Sequence, residues 1–331
     1  MEKLITMEHG SGGAATSKLI SDIFARHFNS PVLNQMEDAA VVPGNDLIAM
    51  TTDSFVVTPM EFAGGNIGRL SVCGTVNDLI SRGAIPRYLT CGFIIEEGTS
   101  IELLDRVVKS MAATANEARV DIVAGDTKVV EAKTDGGSII INTAGVGFVI
   151  KDVSSSYAKE GDAIIVTGTM GDHHAAILSH RLSIENDITS DNAPLLDILM
   201  KLVGSNINVR TIRDITRGGL ATVLKELAVS SEHTFIIDED KIPVNKTVQQ
   251  FASILGLEPV YMGNEGKMAV IVPKEEAQEA LEAIKLADYG DKAAIIGTVG
   301  EESDGRLYLN TELGGKRELN VLVGEGLPRI C

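Results

Sequence analysis

Apolar and polar positions recur along this chain with two different periods, and the switches between them mark out its elements. The run LIAMT at 47–51 reads as a strand, and residues 67–81 follow with helical spacing. Leu103, Leu104, Val107, Val108, Met111 and Ala115 then repeat at the three- and four-residue steps of an amphipathic helix. The alternating stretch SIIINTAGVGFVI at 138–150 predicts a strand with one buried face. After the polar segment KDVSSSYAKEGD, β/α alternation restarts at AIIVTG, which predicts two domains, 1–152 and 153–323. In the second half, helices are expected near 193–203, 220–230, 244–255 and 274–286, with the apolar strands AVIV and AAIIGTV between and after them. Periodicity stops at Gly324, and GEGLPR has turn and linker chemistry, so 324–331 is expected to form a mobile arm carrying Cys331.

The chain is thus mixed α and β, and 331 residues with 44% hydrophobic content suffice for two domains with their own cores. Its 29 basic against 46 acidic residues leave a formal charge of −17, which disfavours nucleic acid and anionic lipid as partners. No apolar run approaches the ~20 residues of a membrane span, and MEKLITMEHGSGG lacks the apolar core of a signal peptide. A cytoplasmic protein is expected. Cys73, Cys91 and Cys331 show no paired spacing of a zinc site or disulfide framework.

Four segments place an aspartate at a strand end or in a turn: EDAAVV (Asp38), TTDSF (Asp53), TVNDL (Asp78) and VAGDTK (Asp126). Singly, each reads as a cap or turn residue. Gathered in one cleft, four carboxylates would repel unless a cation neutralised them, and hard oxygen donors favour magnesium bridged to phosphate. Glycine-rich turns that could cradle a phosphate occur at HGSGG (with Gly12 and Gly13), GGNIG and TRGGL (with Arg217 and Gly218). None has the spacing of a P-loop or of a dinucleotide fingerprint. Lys128, two residues past Asp126, is a candidate point charge for phosphate or substrate oxygen. Glu265 stands between glycines on a turn ahead of the strand KMAVIV. His173, His174 and His180 are close in sequence, but two helical turns, about 10 Å, separate the first from the last, which favours structural histidines over a metal site.

HGSGG, EDAAVV, TDSFVVTP, GGNIGRLSVCGTVNDL, GDTKVV, DITRGGLATVLKELA, NEGK and the final LPRIC occur in the order of the hydrogenase-maturation HypE family of carbamoyl dehydratases, which the chain resembles from His9 to Cys331. That family belongs to an ATP-binding superfamily with aminoimidazole ribonucleotide synthetase, selenophosphate synthetase and thiamine-monophosphate kinase. The resemblance implies an α+β, two-domain aminoimidazole ribonucleotide synthetase-like fold, with N-terminal sheets pairing into a barrel across a homodimer and a C-terminal α/β sandwich. It further implies ATP-dependent dehydration of a carbamoyl group on Cys331 to a thiocyanate, the source of the cyanide ligand of nickel–iron hydrogenase. Asp38, Asp53, Asp78 and Asp126 would form the magnesium and phosphate shell, with Asn77 beside them, and Lys128 and Glu265 would flank the thiol. Implied partners are the carbamoyltransferase HypF as donor and a HypC–HypD complex as acceptor. His174 departs from the family pattern GDHG, which puts the backbone after His173 in question. The alternative is a small-molecule kinase or synthetase of the same superfamily, similar to selenophosphate synthetase.

Overall fold

Residues 4–10, 18–29, 31, 43–133 and 137–322 are described by a computed structural model. The first sheet contains β1 (Ile48–Phe55), β4 (Ala84–Glu96), β5 (Asp121–Val130) and β6 (Ile139–Val149) in the order β1–β6–β4–β5. A small hairpin, β2 (Glu61–Phe62) with β3 (Gly65–Asn66), precedes helix α1 (Ile67–Ile80). Strands β4 and β5 are parallel, so their connection must cross over, and α2 (Ile101–Glu117) is that crossover. Ser100 caps it, its hydroxyl accepting the Leu103 N–H, and of the predicted stripe, Leu104, Val107, Val108, Met111 and Ala115 are buried and Leu103 half-buried.

Every residue of α1 except Arg69 and Asp78 is buried, which explains why its apolar residues are spread round the helix rather than gathered on one face. It lies against the first sheet and α2 at once. Close approach depends on Gly68, where a Cβ would stand 2.2 Å from the Val107 carbonyl oxygen. The preceding GGNIG segment is no open anion cradle, because the Asn66 side chain already accepts the Gly68 and Arg69 N–H groups.

Among the described residues, α1 and α2 both pack on one face of the first sheet. Cys91, Phe93 and Ile95 point to the helix face, and the Thr143 hydroxyl there reaches the Ser71 carbonyl of α1 at 3.1 Å. On the opposite face Met50, Ile94 and Val130 are exposed.

The second sheet comprises β7 (Ala163–Val166), β8 (Thr211–Asp214), β9 (Phe235–Asp238), β10 (Met268–Val272), β11 (Ala294–Val299), β12 (Leu307–Asn310) and β13 (Lys316–Leu319), ordered β13–β12–β9–β11–β7–β10–β8. All its pairs are antiparallel except β9 with β12. The accompanying helices are α3 (Asp172–Arg181), α4 (Leu196–Gly204), α5 (Gly219–Ser231), α6 (Lys246–Leu255) and α7 (Ala277–Lys285). Alternation along β7 sends Ile164 and Val166 into one core with Leu220 and Leu224 of α5, and Ala163 and Ile165 into another with Leu199 of α4 and Ile284 of α7. A sheet with helices on both faces is the sandwich expected for this half.

Three side chains of the α1 segment tie the halves together. Arg69 donates to the Asn192 carbonyl at 2.9 Å, and Ser81 bonds both the backbone N–H and the carboxylate of Asp214. Asn77 donates to the Ala193 carbonyl and accepts the Leu195 N–H, each at 3.0 Å. No helix of the described residues is long and apolar enough to cross a membrane.

Candidate active site

The seam between the halves, along α1, collects the charged groups. Strand β1 runs past the predicted 51 to Phe55 and so carries Asp53 over α1, where a Cβ added at Gly74 would lie 3.6 Å from its Oδ2. Asp78, on α1, accepts a hydrogen bond from the Thr51 hydroxyl at 2.8 Å. From the second half come Asp214 at the end of β8, Arg217 in the turn beyond it, and Glu265 in the turn before β10. Gly218 and Gly219 both have positive φ, and a Cβ on Gly219 would meet backbone atoms of 260–262 at 2.6–2.8 Å, so this turn admits only glycine there.

These carboxylates are electrostatically coupled. Burial pushes Asp53 above its ordinary range, Asp78 raises it further, and Arg217 opposes the shift. Asp78 is likewise raised by burial, against its Thr51 hydrogen bond and Arg213. Asp214 is pushed up to about 6, first by burial and then by Asp78. Glu265 is raised well above the usual carboxylate range by burial and by Asp191, Asp214 and Asp53, with Arg217 acting the other way. A cluster of mutually repelling carboxylates, coupled to the exposed Arg213 and Arg217, has the charges to suit a cation together with an anion.

The raised Asp214 predicts a pH effect. A carboxyl raised in the folded state stabilises the fold below its unfolded value, and that stability is lost as pH rises through the folded one, here from about 4 to about 6. Asp214→Asn keeps an acceptor for Ser81, so it should stabilise the ligand-free protein at pH 7.5 by about 3 kcal/mol. Urea unfolding from pH 4 to 8 should show the gain vanish at the acid end.

Other candidate residues lie elsewhere. Asp53 pairs in register with Thr143, Cys91 and Gly125, whereas Asp126 is one residue further on and therefore faces the opposite side of the sheet. It is exposed there and bonded to Lys128 at 3.0 Å, which holds its carboxyl below the ordinary range. Within one chain, then, Asp126 does not join Asp53 and Asp78, and Lys128 does not face Glu265. Among the described residues no three His, Cys, Asp or Glu side chains are placed to hold a metal together. Asn77 is buried, with its amide engaged by the backbone at 193–195. Gly12, Gly13, Asp38 and Cys331 lie outside the described residues. His173 is buried edge-on to Phe62 with Nδ1 2.7 Å from the Ser190 hydroxyl, His174 is buried with its pKa lowered to about 4 by desolvation, and His180 is exposed. His174 sits within regular α3, so a side chain at that position is accommodated. Cys73 and Cys91 are buried free thiols.

Sequence reasoning missed Asp214, Asp191 and Lys267. Asp214 had a signal, since it stands just ahead of the glycine-rich turn TRGGL that the sequence had already marked. Asp191 had none: it lies in the irregular 183–195 segment and is defined by packing alone.

Residues 36–149 match the AIR synthase related protein N-terminal domain and residues 159–310 match the C-terminal domain of the same family, which defines the class of this protein. Carbamoyl dehydratase HypE of Rhodobacter capsulatus is 41% identical over all of this chain and 99% of its own. A crystal structure of the hydrogenase maturation protein HypE in complex with ATP superposes with a TM-score of 0.94 at 45% identity, covering 98% of this chain and 99% of that one. A chain from a HypE–HypF complex matches at a TM-score of 0.79 and 43% identity, covering 94% and 100%. The chain belongs to the HypE family of carbamoyl dehydratases.

Proposed function

We propose that this protein is a cytoplasmic, ATP-dependent carbamoyl dehydratase that converts an S-carbamoyl group on Cys331 to an S-cyano group, with release of ADP and phosphate, to supply the cyanide ligand of nickel–iron hydrogenase. The observation that carries this reading is the seam that gathers Asp53, Asp78, Asp214 and Glu265 behind Arg213 and Arg217, in a chain alike to HypE proteins over its whole length.

The donor set fits magnesium and a nucleotide phosphate. Magnesium is commonly held by one or two carboxylates plus phosphate oxygens, so Asp53 and Asp78 suffice without a four-carboxylate shell. Asp38, named from sequence, would join them. Arg217 and Gly218, with Gly12 and Gly13, would hold phosphate oxygens. ATP supplies the leaving group: the carbamoyl oxygen takes the γ-phosphoryl group, so it departs as phosphate when the C–O bond breaks. Two N–H protons must also leave to complete the C≡N bond, and the buried, raised Glu265 is the base for them.

Delivery of the thiol agrees with where the described chain ends. Tyr261 donates to the Asn320 carbonyl at 3.1 Å, and the Leu322 N–H donates to the Thr222 hydroxyl at 3.2 Å, beside Gly218. The nine residues from there to Cys331 can span up to about 30 Å, enough to reach the seam.

A homodimer completes the arrangement. The exposed sheet face bearing Met50, Ile94 and Val130 would pair with its copy, closing two sheets into a barrel and carrying Asp126 and Lys128 to the partner's seam. HypF would load the thiol and a HypC–HypD complex would receive the cyano group; a HypE–HypF complex structure supports the first. Intact-mass measurement tests the reading: carbamoylated protein given ATP and magnesium should become lighter by one water, with the change localised by fragmentation to Cys331. An unchanged mass would refute it, and turnover of a free small molecule by a chain truncated after Gly326 would support the kinase alternative.

A further inference from the structure

Directly behind Glu265 lies a buried ion pair that the reaction scheme does not use. The Glu265 N–H donates to Asp191 Oδ1 at 3.0 Å, and the Glu265 carbonyl accepts the Ala193 N–H at 3.4 Å. Gly266 packs so closely that a Cβ would fall 1.8 Å from the Asp191 carbonyl oxygen. Lys267 Nζ donates to the Gly266 carbonyl at 3.0 Å and stands 3.7 Å from Asp191 Oδ2, with both side chains under a tenth exposed. Its stem occupies the space beside Gly168, where a Cβ would come within 2.7 Å of Cε. Two glycines therefore make room for a lysine and an aspartate that grip the 265–266 backbone from either side.

We infer that Asp191 and Lys267 are positioning residues, which fix the Glu265 turn so that its carboxylate meets the carbamoyl nitrogen. Asn77, placed beside the nucleotide from sequence, belongs to the same scaffold: it holds the backbone of Ala193 and Leu195, and Ala193 in turn holds Glu265. The inference rests on the dehydratase reading with Glu265 as base. A displacement of about 1 Å at a reacting group can cost about a hundredfold in rate without weakening binding.

The test is the single-turnover rate of water loss from the carbamoylated full-length protein, with the ATP concentration giving half the maximal rate measured alongside. Asp191→Ala, which removes the acceptor for the Glu265 N–H, should slow water loss by about 10- to 100-fold and leave ATP half-saturation within about twofold. Asp191→Asn keeps an acceptor oxygen and should stay within about threefold of the parent. A purely structural ion pair predicts otherwise, because both variants strip Lys267 of its counter-charge equally. Parental rate in Asp191→Ala, or an Asp191→Asn as slow as Asp191→Ala, overturns the inference. If Asp191→Ala does not fold, Lys267→Met decides: loss of the Gly266 anchor should slow the reaction at least about tenfold at unchanged ATP half-saturation, and a parental rate overturns the inference. A parent that never loses water overturns the dehydratase reading and this inference with it, whereas a parent that loses water no faster than Asp191→Ala or Lys267→Met overturns the inference alone.

Discussion

Glu265→Gln should bind ATP as the parent does and lose water from its carbamoyl group about 10²- to 10⁴-fold more slowly, the usual range for removing a general base. Folding is not at stake, because glutamine fills the same volume and takes a charge away from Asp191, Asp214 and Asp53. The pH dependence gives an independent check. A base works only when ionised, so the parental rate should fall as pH drops through the raised Glu265 value, and the residual rate of Glu265→Gln should not share that limb. Quenched-flow sampling with intact-mass detection measures both. A variant within about threefold of the parent would remove Glu265 from the chemistry.

Local periodicity carried most of the fold. The α2 stripe, the 138–150 alternation and the four later helices each have a one-sided apolar pattern, and each forms within a few residues of its expected place. Even α1 was legible as a helix, although not the reason its apolar residues are spread round it, which is burial between the sheet, α2 and the second half. The site was legible residue by residue but not as a geometry. Asp53 and Asp78 come near enough to interact electrostatically because β1 crosses α1, and sequence gives no measure of that crossing. Asp126 looks equivalent to them in a string of letters, yet a one-residue offset in strand register turns it to the other face. Asn77 shows the converse: a polar residue next to Asp78 reads as a ligand, while one step along α1 points it into the joint between the halves.

That same register offset leads to the second large effect. If the open sheet face is where two copies pair, Asp126 and Lys128 of one protomer serve the seam of the other, and every complete site takes Glu265 from one chain and Lys128 from its partner. Lys128→Ala and Glu265→Gln homodimers should then both be inactive, each lacking one component at both sites. A mixed dimer of the two variants, isolated by tandem tags after co-expression, behaves differently. One of its seams combines the intact Glu265 with the intact Lys128, and the other collects both substitutions. It should recover about half the parental rate of water loss, from a background near zero in either homodimer. Were Lys128 to act on Glu265 of its own chain, both seams of the mixed dimer would be broken. An isolated mixed dimer as inactive as its parents would therefore show that the two residues work in one chain, contrary to the sheet face on which Lys128 lies, opposite to that of Asp53.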